Sequence, residues 1–111
     1  MAGIGIGLAL GKRIPVIYSI TPFLLFRPAE WIRNYIDYEK IPVKLVGSGK
    51  DKDYSHDGIS HWSTDCNDYI SLFKSINLYQ PNSIYELERD FENIIYNSSP
   101  TYLNLTTRQV E

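Results

Sequence analysis

Short β-rich runs alternate with helix-patterned segments along this chain, with few residues between them, and no other feature restricts the fold as much. Residues 13–20 (RIPVIYSI) have strand length and composition and stop at the turn pair Thr21-Pro22, ahead of an aromatic stretch at 23–26. Pro28 suits a first helical position, and Ala29, Ile32, Tyr35 and Ile36 recur at helical spacing to give one apolar face. Residues 42–47 (PVKLVG) form the next strand. After a polar loop at 50–64, Ile70, Phe73 and Ile76 mark a second helix with Thr64 or Asp65 as its cap, and 77–80 is a short strand. Ser83, with Glu86 three residues on, makes a capping box before the stripe Ile84, Leu87, Phe91, Ile94 and Ile95. Residues 97–100 end that helix, and 101–107 (TYLNLTT) alternate as a last strand. Repeated strand, helix, strand with short links predicts right-handed crossovers and an α/β fold: a mostly parallel sheet with helices on both faces.

The first residues fit that scheme. Residues 2–10 are apolar, but a membrane span needs about 20 such residues; no basic residue precedes them and Lys12-Arg13 follow. They read as a core helix, not a signal. Gly3, Gly5 and Gly7 imitate a dinucleotide-binding loop, yet that fingerprint requires a strand before it and only Met1 and Ala2 stand there. Small residues that let a helix pack closely on a sheet are the simpler account. With 111 residues the chain is one domain at most, and a net charge of −2 gives no electrostatic case for nucleic acid or an anionic membrane. A lone cysteine, Cys66, cannot form an internal disulfide, which fits the cytoplasm.

Ligands in parallel sheets bind at the carboxyl ends of the strands, so the loops there are where chemistry is expected. They carry residues 21–27, 47–61 and Arg108. The run Asp57-Gly58-Ile59-Ser60-His61 places an imidazole, which titrates near neutrality, between a strand and a helix. A metal site from His56, His61 and Cys66 is disfavoured, because the spacing fits no usual zinc pattern and a fourth ligand is missing. Lys50-Asp51-Lys52-Asp53 is either a flap over the cleft or, more simply, an ordinary surface loop.

Taken together, these segments carry a resemblance. The run MAGIGIGLAL, a Gly-Lys-Arg-x-Pro turn into a strand, FLLFRPAEWIRN at 23–34, IPVKLVG at 41–47 and DGISH at 57–61, followed by Asp65, resemble the pyrimidine-binding domain of transketolases and their short relatives. The likeness is colinear through nearly all 111 residues. It implies that residues 1–111 are a partial, N-terminally truncated domain of the thiamine diphosphate-binding type. The implied cofactors are thiamine diphosphate and a magnesium ion, the ion held by a separate diphosphate-binding domain or subunit.

By that resemblance Phe23 and Phe26 are the aromatic pair that holds the cofactor's aminopyrimidine. His61 is the loop histidine that hydrogen-bonds sugar hydroxyls and moves protons. Asp57 is its acidic partner. Arg108, in a Thr-Arg-Gln run that needs a one-residue shift, corresponds to the arginine that receives a sugar phosphate. There are departures. Met1 falls on the methionine of the family's Glu-Gln-x-Met run, so the proton-relay glutamate is not among these residues. Ile59 replaces a proline, Gly47-Ser48-Gly49 stand where full transketolases have a histidine, and Ala29 replaces an aromatic. Two readings follow. One is a fragment or subunit of an enzyme of carbohydrate metabolism, dimeric, transferring ketol units between sugars or sugar phosphates and inactive alone. The other is a non-catalytic interaction module that pairs with a transketolase subunit.

Overall fold

The apolar run around residue 45 becomes the middle of a four-stranded sheet. In the computed structural model, which describes residues 1–108, β1 (Val16–Ile20), β2 (Lys44–Ser48), β3 (Asn77–Tyr79) and β4 (Thr101–Leu105) take the order β1-β2-β4-β3. Every neighbouring pair is parallel. Around the sheet lie α1 (Ala2–Leu10), α2 (Thr21–Leu25), α3 (Ala29–Trp31), α4 (Cys66–Ile70) and α5 (Ile84–Tyr96). The α/β class with a parallel sheet is therefore as the alternation predicts.

Both faces of the sheet are covered, which a parallel sheet requires because its strands cannot face water on one side. On one face, Leu45 and Tyr102 pack with Ile6 of α1, Leu24 and Leu25 of α2, Ile32 and Ile36 after α3, and Cys66 and Ile70 of α4. On the other, Val46 and Leu103 pack with Ile94 of α5, flanked by Leu87 and Ile95. The chain steps from β1 to β2 and from β2 to β3 under helices of the first face, then returns from β3 to β4 under α5. Opposite directions on opposite faces is what a single crossover hand demands.

Several boundaries differ from the sequence reading. The first strand starts at Val16 rather than residue 13, because Pro15 offers only its carbonyl, which accepts from the Lys44 amide at 2.9 Å. The aromatic stretch at 23–26 lies in and just after the short helix α2. Pro28 precedes α3 instead of opening it, and α3 widens into a π turn at Ile32–Asp37, closed by a bond from the Tyr38 amide to the Arg33 carbonyl at 3.2 Å. The extra residue leaves Ile32 and Ile36 buried but Tyr35 exposed, so the expected four-residue face shrinks to two. The second predicted helix, α4, ends at Ile70. The Ser71 hydroxyl donates to the Asp68 carbonyl, a local competitor with helix bonding, and Phe73 and Ile76 lie beyond the helix. By contrast the capping box forms: the Glu86 amide donates to Ser83 Oγ at 3.2 Å, while the Glu86 carboxylate accepts from the Asn82 amide. Among the described residues no helix is long and apolar enough to cross a membrane.

β2 is buried at all five positions. At its amino end Lys44 is inside the protein, and its Nζ donates to the Asn97 and Ser99 carbonyls at 2.8 and 2.7 Å and to Asn97 Oδ1 at 3.0 Å. Burial lowers the lysine pKa, and these acceptors are what let the ammonium remain there. The same oxygens close the turn between α5 and β4. At its carboxyl end Gly47 leaves room for two neighbours: a Cβ there would meet Thr21 Oγ1 at 2.6 Å and the Tyr102 ring at 3.0 Å. Both of those side chains are fully buried and have nowhere to move. Gly47→Ala is expected to lower stability by about 1–3 kcal/mol, the usual cost of overpacking a core, measured by denaturant unfolding against the unchanged chain.

Candidate functional site

At the carboxyl edge of the sheet, β1 runs straight into α2, β2 into a loop at 49–65, and β4 into residues 106–108. The long loop is tied down from below. Thr21 Oγ1 donates to the Ser48 carbonyl at 3.2 Å, Ser48 Oγ pairs with the Tyr54 hydroxyl at 2.8 Å, and Ser63 Oγ donates to the Gly49 carbonyl at 2.8 Å. Gly49 has φ +93° and the Tyr54 ring lies directly against it, so no side chain fits at that position.

A second tie is Asp53, whose side chain is only 1% exposed. Its Oδ2 accepts from the Lys50 amide at 2.9 Å, the Thr106 hydroxyl at 2.8 Å and the Thr107 amide at 2.9 Å. Its Oδ1 accepts from Arg108 Nε at 2.9 Å. Burial alone would raise this carboxyl's pKa. The Thr107 and Lys50 amides, the Thr106 hydroxyl and the Arg108 charge outweigh it and hold the group below its ordinary value. The segment at 50–53 is thus a surface loop, with Asp51 and Lys52 exposed, that is anchored by one buried carboxylate.

These ties bring His61 beneath α2. Its amide donates to the Gly58 carbonyl at 3.0 Å, its Nδ1 lies 2.9 Å from Ser60 Oγ, and its ring meets Phe23 edge-on with centroids 4.8 Å apart. The Tyr54 ring stands 6.4 Å away on another side. The Arg27 guanidinium lies over the Phe23 ring, 4.1 Å from its centre. Phe23 and Arg27 also line a cleft of about 640 Å³ with Leu24, Trp31, Ile17 and Gly3.

The other candidates are dispersed. Phe26 turns away from that cleft and packs edge-on against Tyr69, centroids 4.9 Å apart. Tyr69 in turn lines a separate groove of about 910 Å³ with Ala29, Arg33, Asp37 and Phe73. Asp57 is exposed in the short turn Ser55–Asp57. Arg108 is held by Asp53, beside a small hollow it lines with Ser83 and Thr106. Gln109, the last residue of the Thr-Arg-Gln run, lies with the final two residues outside the described residues. Cys66 is buried in the core, and among the described residues no group of His, Cys, Asp and Glu could hold a metal ion.

Three residues escaped the sequence reading. Arg27 carried a usable signal, four residues after Phe23 where one helical turn brings side chains together. Asp53 carried none, because its partners are backbone amides or residues far along the chain, and Tyr54 carried none because its side-chain partners Ser48 and His61 meet it through an irregular loop with no periodic spacing.

No protein-family model matches the chain. Curated relatives do. It is 27% identical over 110 residues to an apulose-4-phosphate transketolase subunit of Actinobacillus succinogenes, covering 99% of this chain and 35% of that protein. It is also 27% identical over 108 residues to the 6-deoxy-6-sulfo-D-fructose transketolase subunit SqwH of a Clostridium species, covering 97% of this chain and 34% of that one. The chain is homologous to transketolase subunits. It spans about a third of the length of the curated relatives it matches. A solved split-gene transketolase, described as an inactive "beta4" tetramer, superposes with a TM-score of 0.85 over 98% of this chain and 34% of its own, at 22% identity, and so shares the fold.

Two outcomes follow from the site's geometry. Desolvation in the core pushes the Cys66 thiol up to about 12, with the Asp65 charge adding to the rise. Cys66 should therefore stay unmodified by a thiol reagent at pH 7 until denaturant is added. Because the folded-state pKa of Asp53 is depressed, its stabilisation is complete above the unfolded-state value of about 4 and is lost as pH falls through the lower folded value. Asp53→Asn should cost about 1–3 kcal/mol at neutral pH, and the difference from the unchanged chain should shrink below about pH 4, as read from unfolding curves at a series of pH values.

Proposed function

We propose that this chain supplies the aminopyrimidine-facing side of a thiamine diphosphate-dependent, transketolase-like enzyme that transfers ketol units between sugars, and that it is inactive alone. The observation that carries this is the homology to transketolase subunits along almost the whole chain. The site agrees with it in kind: a histidine at the carboxyl edge of a parallel sheet rests on an aromatic wall that opens into an apolar cleft.

The lining of that cleft suits a flat heterocycle, since Phe23, Trp31, Ile17 and Leu24 offer aromatic and aliphatic surface. Arg27 lies on the Phe23 face and must swing aside for a ring to stack there. As the resemblance implies, the diphosphate and its magnesium ion fall to a partner domain or subunit. When bound, thiamine diphosphate supplies a carbon nucleophile that carries the ketol unit.

This chain's residues act around that chemistry. Phe23 holds the pyrimidine ring and excludes water. His61 meets sugar hydroxyls through Nε2, which donates in one tautomer and accepts in the other, since Nδ1 is engaged by Ser60. Asp57, exposed four residues earlier, orients the same hydroxyls. Arg108 receives the charged end of a phosphorylated sugar. Phe26, which packs on Tyr69 outside the cleft, supports the pocket from behind. The exposed apolar side chains Ile4, Leu8 and Leu10 of α1, with Trp31, favour a partner surface and a dimeric assembly. The compartment that fits a central sugar-transferring enzyme with an unbridged cysteine is the cytoplasm.

A second reading, a non-catalytic module that pairs with a transketolase subunit, draws on one observation: the exposed apolar side chains of α1 and Trp31 suit a partner surface whether or not the chain takes part in chemistry. Reconstitution separates the two. The chain mixed with a diphosphate-binding subunit, thiamine diphosphate and magnesium should transfer ketol units while neither protein does so alone, and His61→Ala should lower kcat by about 10²–10⁴-fold. Turnover unchanged by His61→Ala would remove that residue from the mechanism. Association without turnover would establish the module.

A further inference from the structure

The Asp53 carboxylate gathers donors from two segments that the chain separates by more than fifty residues. Lys50 belongs to the loop that carries Asp57 and His61, and Thr106, Thr107 and Arg108 follow β4. Oδ2 binds the two segments together through neutral donors, and among the described residues Oδ1 takes only Arg108 Nε. The carboxylate is buried while the guanidinium is 72% exposed, so the pair points the arginine outward from a fixed base. A guanidinium held through Nε keeps its two Nη groups available as a fork, the geometry that matches a phosphate or sulfonate edge.

We propose that Asp53 is a positioning residue, a latch that orients Arg108 toward the anionic end of the substrate and at the same time fastens the His61 loop across the carboxyl edge. This rests on the transketolase-like reading for its substrate but not for its geometry. The latch has two separable halves. Removing the arginine side chain leaves the three bonds to Oδ2 intact. Replacing the carboxylate by an amide removes the charge that holds Arg108 and weakens all three.

The test uses the whole chain, with Asp53→Asn and Arg108→Ala compared by three readouts. Inorganic phosphate, titrated against the Arg108 Nε–H resonance, should shift it in the unchanged chain and bind at least 10-fold more weakly to Asp53→Asn. Amide hydrogen exchange at Lys50 and Thr107 should accelerate at least 10-fold in Asp53→Asn and remain slow in Arg108→Ala. In the enzyme reconstituted with a diphosphate-binding subunit, Asp53→Asn should raise KM for a phosphorylated ketose about 10-fold more than it raises KM for the unphosphorylated ketose. Equal or tighter phosphate binding by Asp53→Asn, unchanged exchange, or equal KM effects on both ketoses would overturn the proposal. A reconstituted enzyme without turnover would defeat the transketolase-like reading alone, because the phosphate and exchange measurements still decide the latch.

Discussion

Everything in this fold depends on burying β2. Five consecutive residues of one strand are inside, and neighbours on both edges and helices on both faces are needed to keep them there. The strand is not uniformly apolar, and its two exceptions organise the ends of the molecule. Lys44 can be buried only because carbonyls just after α5 accept hydrogen bonds from its ammonium, and that requirement fixes how α5 turns into β4. Gly47 can be followed by a tight closure only because it has no side chain, which lets Thr21 and Tyr102 meet over it. Support at one end and clearance at the other leave the carboxyl edge free to hold loops.

At that edge the long loop after β2 is tied to the sheet at several points. Thr21, Ser48 and Tyr54 form a chain of hydroxyl contacts beneath it, Ser63 pins its far end to Gly49, and Asp53 ties its middle to the end of β4. His61 is therefore presented on a rigid platform against Phe23. Ties of this kind preorganise a side chain, and in the proposed function that matters because positioning errors of about 1 Å are costly in catalysis.

The element order was legible because it is written in local terms: strand-length apolar runs, a capping box, and proline and glycine at the joints. Helix extent was less so. The spacing of Ile70, Phe73 and Ile76 fits a helix, yet Ser71 competes for the backbone at Asp68 and the chain leaves early, with Ile76 still reaching the core as it leads into β3. The π turn after α3 has no sequence signature at all; one extra residue in a turn changes which side chains face inward without changing the apolar pattern. For the site, His61 and Phe23 could be named from the resemblance and do meet. Phe26 and Arg108 were named with them and lie elsewhere, one against Tyr69 and the other against Asp53. Asp53 itself looked like one charge in a mixed run, since its donors are backbone amides and residues at the far end of the chain, and neither leaves a mark on the sequence around it.

The central claim is that these residues form one side of a cofactor cleft whose other side is a partner protein. Calorimetric titration of thiamine diphosphate and magnesium into the chain, into a diphosphate-binding transketolase subunit, and into their mixture tests it most directly. Saturable binding is expected in the mixture that neither component shows at the same concentration, and it should be lost with Phe23→Ala. Binding in the mixture no stronger than to the diphosphate-binding subunit alone would contradict the claim.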